Sequence, residues 1–163
     1  MRRFILAAAL LTAACSNEAE APEPGTPAAA EPEVAVSGAW CRPTPEGRNG
    51  TACYASFNAT TDDRLVSIIS PRAALSEVHE VSTEGGVMRM DTMEGGLPLP
   101  AGQAVALAPG GDHIMLTGVT VPLADGEVVP LAFTFESGVQ VALEAAVRTA
   151  PVEGGPDHAG HGA

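Results

Sequence analysis

Sulfur and imidazole donors are concentrated in one stretch of this chain. After the start residue, the only methionines are Met88, Met90, Met93 and Met115, and the only histidines are His79, His113, His158 and His161. Residues 79–115 therefore hold every internal thioether and half of the imidazoles. A thioether is soft, uncharged and cannot be deprotonated, so it suits Cu(I), whereas hard cations prefer carboxylates. Imidazole adds a borderline nitrogen donor. The mixed set favours Cu(I) over Zn(II), which normally takes Cys, His and carboxylate. It also dispenses with thiolates, which an oxidising compartment would trap as disulfides. Methionine is equally an adaptable core filler, and one His-x-Met alone says little. The confinement of every internal thioether and half of the imidazoles to one stretch carries the reading.

Strands have to position them. Turn signals recur about every ten residues: Pro45-Glu46-Gly47, Asp62-Asp63, Gly85-Gly86, Gly95-Gly96, Pro109-Gly110-Gly111 and Asp125-Gly126. Between them lie β-branched or alternating apolar runs at 34–40, 52–58, 64–70, 75–81, 86–91, 103–108, 113–119, 128–135 and 139–148. Such spacing predicts an all-β antiparallel sandwich or barrel of eight or nine short strands. The alanines of 139–148 would also fit a helix, but Gly138 followed by Val-Gln-Val reads as a closing strand. Alternate side chains of a strand face opposite ways. His113 and Met115 then share one face, with Ile114 and Leu116 on the other as core. Met88 and Met90 likewise share a face, and Val78 lies opposite His79.

The termini read differently. Residues 1–15 (MRRFILAAALLTAAC) combine an arginine pair with an apolar run too short to span a bilayer, which is a secretory signal. Its end, Thr12-Ala13-Ala14-Cys15, resembles a bacterial lipobox in which Cys15 becomes the lipid-carrying first residue. An ordinary cleaved signal is the alternative. Residues 16–33 are rich in Ala, Pro and Glu and cannot build a core, so they form an extended tether. Residues 149–163 form a Pro/Gly-rich tail in which His158 and His161 could capture Cu(II) weakly or be incidental. The domain is 34–148, long enough for one hydrophobic core.

Charge and composition exclude several classes. The 20 acidic residues face eight basic ones, all arginine, for a net charge of −12. Loss of residues 1–15 removes Arg2 and Arg3 and takes this to −14. Such a chain lacks the clustered cations that nucleic acid requires. Without lysine there is neither a P-loop lysine nor a Schiff base. No nucleophile–base pair stands out, so an enzyme is not expected, and Asp112 beside His113 is an adjacency in sequence only. Cys41 and Cys53, on neighbouring strands of an exported domain, are expected to pair. A metal-binding or disulfide-exchanging pair is the alternative.

The stretch from Val78 to Phe135 resembles the PCu(A)C family of periplasmic copper chaperones. The matching text is VHEVSTEGGVMRM, GLPLPAGQAVALAPGGDHIMLTG and VPLADGEVVPLAFTFESG, with Ala39-Trp40-Cys41-Arg42 upstream. The family pattern is His, ten residues, Met, twenty-one residues, His, one residue, Met. Here ten residues separate His79 from Met90 and one separates His113 from Met115. Between Met90 and His113 there are twenty-two, and the extra one is placed in the turn at Met93-Glu94-Gly95-Gly96.

The resemblance implies a cupredoxin-like β-barrel holding one Cu(I) through His79, Met90, His113 and Met115. It also implies delivery to the dinuclear copper site of cytochrome c oxidase subunit II, alongside Sco-type thiol proteins, from a membrane-anchored lipoprotein in the bacterial periplasm. Met88 is expected as a core or supporting residue, and Met93 as a turn residue that could contact copper in transit. Blue-copper electron transfer would need a Cys thiolate with two His, and neither cysteine lies near His113 in sequence. The rival readings are a copper-sequestering resistance lipoprotein without a delivery role, and a surface interaction module without metal.

Overall fold

The computed structural model describes residues 33–150. The expected leader with Cys15, nearly all of the tether, and the tail residues His158 and His161 lie outside the described residues. Ten strands form: β1 (Val34–Cys41), β2 (Gly50–Ala59), β3 (Asp63–Ile69), β4 (Leu75–Glu84), β5 (Val87–Thr92), β6 (Leu97–Leu99), β7 (Ala104–Ala106), β8 (His113–Thr117), β9 (Val128–Phe135) and β10 (Gln140–Val147). They join in one sheet in the order β5-β4-β8-β2-β1-β10-β9-β3-β6, with β7 paired to β2. Pairing is antiparallel except where β10 runs parallel to β1.

The all-β expectation holds, with one strand more than the sequence suggests. The addition is β6, Leu97-Pro98-Leu99, where a central proline hides a strand. Its two leucines are buried and Pro98 is exposed. β6 ends the strand path, pairing along it only with β3, which is where a strand tolerates a residue with no N–H to donate. Residues 140–147 are a strand, not a helix, and period-two burial turns Ala145 and Val147 inward.

The sheet curls around an apolar interior. Phe57 meets Phe133 edge-on at 5.5 Å between centroids and Phe135 at 6.4 Å. Leu65, Leu99, Ile114, Leu116, Val129 and Leu131 complete the centre, each 1% exposed or less. Asp63, at the start of β3, accepts hydrogen bonds from the Ser137 hydroxyl and the backbone N–H groups of Arg64 and Ser137. Partial burial pushes its pKa up, but these donors outweigh that and hold its carboxyl below the ordinary value. The turn between β9 and β10 is thereby tied to β3.

A bulge in β1 decides what the other face of the sheet carries. Val34 and Val36 pair with Ala59 and Phe57, which face the core. The register then slips between Ser37 and Trp40, where Gly38 adopts φ 63°. One extra residue reverses the alternation. Beyond it Cys41 turns inward against Cys53, and Trp40 turns outward against Tyr54. Cys41 and Cys53 are fully buried and joined as a disulfide.

This bond clamps β1 to β2 beneath the outward face. Replacing both cysteines by alanine is expected to cost about 2–5 kcal/mol, read as a lower urea midpoint, and reduction of the unaltered protein should produce a comparable loss. An unchanged midpoint in both would show that the bond does not support the fold.

Candidate metal centre

Register brings the donors together. In the β4–β8 ladder His79 lies directly opposite His113, Val78 opposite Ile114, and Glu77 opposite Met115. In the β4–β5 ladder Thr92 is opposite His79, Met90 opposite Val81, and Met88 opposite Thr83. Directly paired residues share a face. One side of the sheet therefore carries Met88, Met90, His79, His113 and Met115, and the reverse carries Val78, Ile114 and Leu116, all buried. The twenty-two residues between Met90 and His113 do not displace the pairing of the two histidines.

The imidazole rings are 5.7 Å apart between centroids at 66° to one another. His113 is only 8% exposed, and its Nδ1 is 3.0 Å from the Gly111 carbonyl. With the proton on Nδ1 donated to that oxygen, Nε2 keeps a free lone pair. His79 is half-buried, its Nε2 4.0 Å from Glu77 Oε2. Met115 has room because its neighbour is glycine: a Cβ on Gly50 would sit 2.9 Å from the Met115 methyl and 3.0 Å from the Leu116 carbonyl oxygen. Among the described residues no three His, Cys, Asp or Glu side chains gather as a metal-holding group.

Three supporting residues lie outside the ligand set expected from the sequence. Asp112 is more than an adjacency. β8 begins at His113, so β4 loses that partner beyond His79, and Asp112 Oδ1 takes the N–H of Val81 at 2.9 Å. That bond fixes the residue opposite Met90. Tyr54 lies beside His113, with ring centroids 6.5 Å apart, and Trp40 stacks on Tyr54 at 4.6 Å. The signal that could have found these two rings is the cysteine pair. If Cys41 and Cys53 bond across two strands, Trp40 and Tyr54 must neighbour each other on the opposite face.

Of the two alternatives expected for Met88, core or supporting residue, the structure removes the first. Met88 is not core: all of β5 is exposed, and Met88 and Met90 are each 64% exposed on the donor face. The hairpin of β4 and β5 extends past the rest of the sheet, and among the described residues nothing packs over β5. Met93 opens the turn to Gly96, as expected, but its side chain is not free. Alternation after Thr92 turns it to the inner side, where its N–H bonds the Val78 carbonyl and its side chain packs on the core. It lines a crevice of ≈ 400 Å³ between β3 and β4, away from the histidines. The cysteines lie on the reverse side and are bonded to each other, so neither offers a thiolate to a blue-copper site.

A family model described as "Putative lipoprotein LpqE-like" matches residues 34–147. The chain belongs to the LpqE-like family. One relative, "Putative lipoprotein Lxx21020" of Leifsonia xyli subsp. xyli (strain CTCB07), is 32% identical over 115 residues, 69% of this chain and 68% of its own. Among solved structures, this LpqE-like domain is similar to the copper-bound PCuAC domain from PmoF2. There the TM-score is 0.59 and the identity 23%, over 71% of this chain and 92% of that one. It is also similar to the Cu(I) form of DR1885 from Deinococcus radiodurans, with TM-score 0.54 and 26% identity, over 69% and 76%. The LpqE-like chain is thus of the PCuAC type, as its motif spacing suggests.

The Asp112 tie can be tested directly. Asp112→Ala should speed hydrogen exchange at the Val81 amide and lower stability by about 1–3 kcal/mol, while Asp112→Asn, which keeps an acceptor oxygen, should recover most of the protection. Equal Val81 protection in Asp112→Ala and the unaltered protein would show that Asp112 does not hold this part of β4.

Proposed function

We propose that this domain is a Cu(I) carrier of the bacterial envelope, with His79, Met90, His113 and Met115 as the ligands. The observation that carries the reading is the cross-strand pair of His79 and His113, its inner ring held by the Gly111 carbonyl, on a face that also bears Met115 and Met90. The likeness to copper-bound and Cu(I)-bound PCuAC domains supports it. Two imidazoles and two thioethers form a soft, uncharged set, matched to a monovalent d¹⁰ ion and poor for hard divalent cations.

The ligands divide by burial into an anchor and a gate. His113 is buried and oriented by its own hydrogen bond, whereas Met90 stands in solvent on the hairpin. Copper would enter and leave by exchange at Met90, with the histidines retaining it meanwhile. Met88, on the same face two residues along, could supply a transient thioether at the hairpin tip. The carrier would deliver copper to cytochrome c oxidase subunit II with Sco-type partners, tethered to the periplasmic side of a membrane through Cys15. His158 and His161 would collect Cu(II). The family and relative descriptions as lipoproteins support the anchored location.

Titration with Cu(I) against a competing chelator should give one tightly held ion per domain, with X-ray absorption showing both sulfur and nitrogen neighbours. The Met90→Leu/Met115→Leu variant should lose about 10–100-fold or more in affinity. Undiminished affinity in that variant would overturn the ligand set, and protein that takes up no Cu(I) would favour the interaction module. A deletion strain separates the two copper roles. Delivery predicts impaired oxidase activity under copper limitation, whereas loss of copper tolerance with normal oxidase would point to sequestration.

A further inference from the structure

On the β1 and β10 side the donor face is bordered by arginines in an otherwise acidic protein, whereas Glu77 stands on the β4 side. Of the six arginines among the described residues, Arg64, Arg72 and Arg89 are paired with Glu136, Glu127 and Glu84. Arg42, Arg48 and Arg148 have no carboxylate at ion-pair distance among the described residues, and all three are exposed. Arg42 and Arg148 are also neighbours in the fold, because β10 runs beside β1. Arg42 extends β1 with its N–H on the Ala52 carbonyl, and Arg148 extends β10 with its N–H on the Cys41 carbonyl. Arg48 belongs to the loop from β1 to β2.

Their placement follows from register. Ala52 is the partner of Met115, and Arg42 continues the same line across the sheet, two strands from Met115 or about 10 Å by strand spacing. Arg148 lies over the Trp40 ring at 4.7 Å, and from Trp40 the aromatic row leads through Tyr54 to His113. The Arg148 guanidinium is thus held at one end of a row whose other end is the histidine pair. A hollow of ≈ 460 Å³ opens here, lined by Arg42, Pro43, Pro45, Thr51, Ala52 and Thr149, with no carboxylate on its walls. Glu46 shares the loop with Arg48, and Asp125 is engaged by the Thr149 backbone.

We propose that Arg42, Arg48 and Arg148 form the docking rim for an acidic protein partner that exchanges Cu(I) at the adjoining donor face; this rests on the carrier reading. Unpaired guanidiniums attract and orient carboxylates in bidentate fashion. Placed beside the ligands, they bring an acidic acceptor to the right face, while the −12 charge of the chain repels it elsewhere. An anionic membrane surface is the competing source of the same charge. A protein is favoured because the rim borders the donor face, which a lipid surface would cover without offering soft ligands.

The test uses two synthetic acceptor peptides with one Met/His copper-binding core, flanked by aspartates in one and lysines in the other. Net charge alone makes the lysine peptide the faster acceptor from this protein. The rim makes the aspartate peptide faster by roughly threefold to tenfold at low ionic strength, a preference that salt erases. Arg42→Glu should reverse the ratio of the two rates. Arg48→Glu, at an exposed loop position, should lower it without touching the sheet, which guards against misfolding of the first variant. A lysine peptide that is faster, or equal, with Cu(I)-loaded protein overturns the docking rim and leaves the carrier reading standing. Protein that never loads Cu(I) overturns both. Equal peptide rates together with arginine-dependent binding to phosphatidylglycerol vesicles would assign the rim to a membrane and overturn the proposal.

Discussion

The register of β4 against β8 is the constraint on which the donor face depends. Because side chains alternate, pairing His79 with His113 also pairs Val78 with Ile114 beneath them. The apolar pair is buried and the imidazole pair faces outward. A slip of β4 by one residue would carry His79 into the core and Val78 out of it, so the register is protected by the cost of removing β4 side chains from the interior. The arrangement of the donor face is therefore maintained by hydrophobic burial on the reverse face.

The rest of the outward face is held by devices of the same kind. The bulge at Gly38 reverses the alternation of β1, so Trp40 faces the donor side and Cys41 faces Cys53. Gly50 leaves the space that the Met115 side chain occupies. Asp112 replaces the missing ladder bond where β8 stops and β4 continues. Each keeps a polar or bulky outer residue in place without altering the core, and together they join five strands of the sheet into one functional surface. Burial also falls off along that surface. His113 sits on the central strands, whereas Met90 sits 64% exposed on a hairpin that projects beyond them.

Much of this is legible in the chain itself. Turn residues at regular intervals mark the strand runs, and nine of the ten strands answer to them. The tenth, β6, is hidden because three residues around Pro98 carry no alternation long enough to notice. Parity alone places His113 with Met115 and Met88 with Met90. It does not say how far Met88 protrudes. Exposure depends on what lies over a strand, and β5 is an edge with nothing over it among the described residues. Met93 departs from expectation for a related reason: it sits at a turn in sequence, yet its side chain continues the alternation of β5 into the core.

By itself the sequence determined the donor types, their confinement to residues 79–115, the all-β class and the family spacing. Composition and local period are properties of the chain, readable without knowing which strands meet. Only the tertiary structure decided that His79 faces His113 across a ladder, that Asp112 serves Val81, and that Arg42 and Arg148 border the same face. Those are pairings between strands distant in sequence, fixed by the joint burial of one continuous core, and no local pattern encodes them.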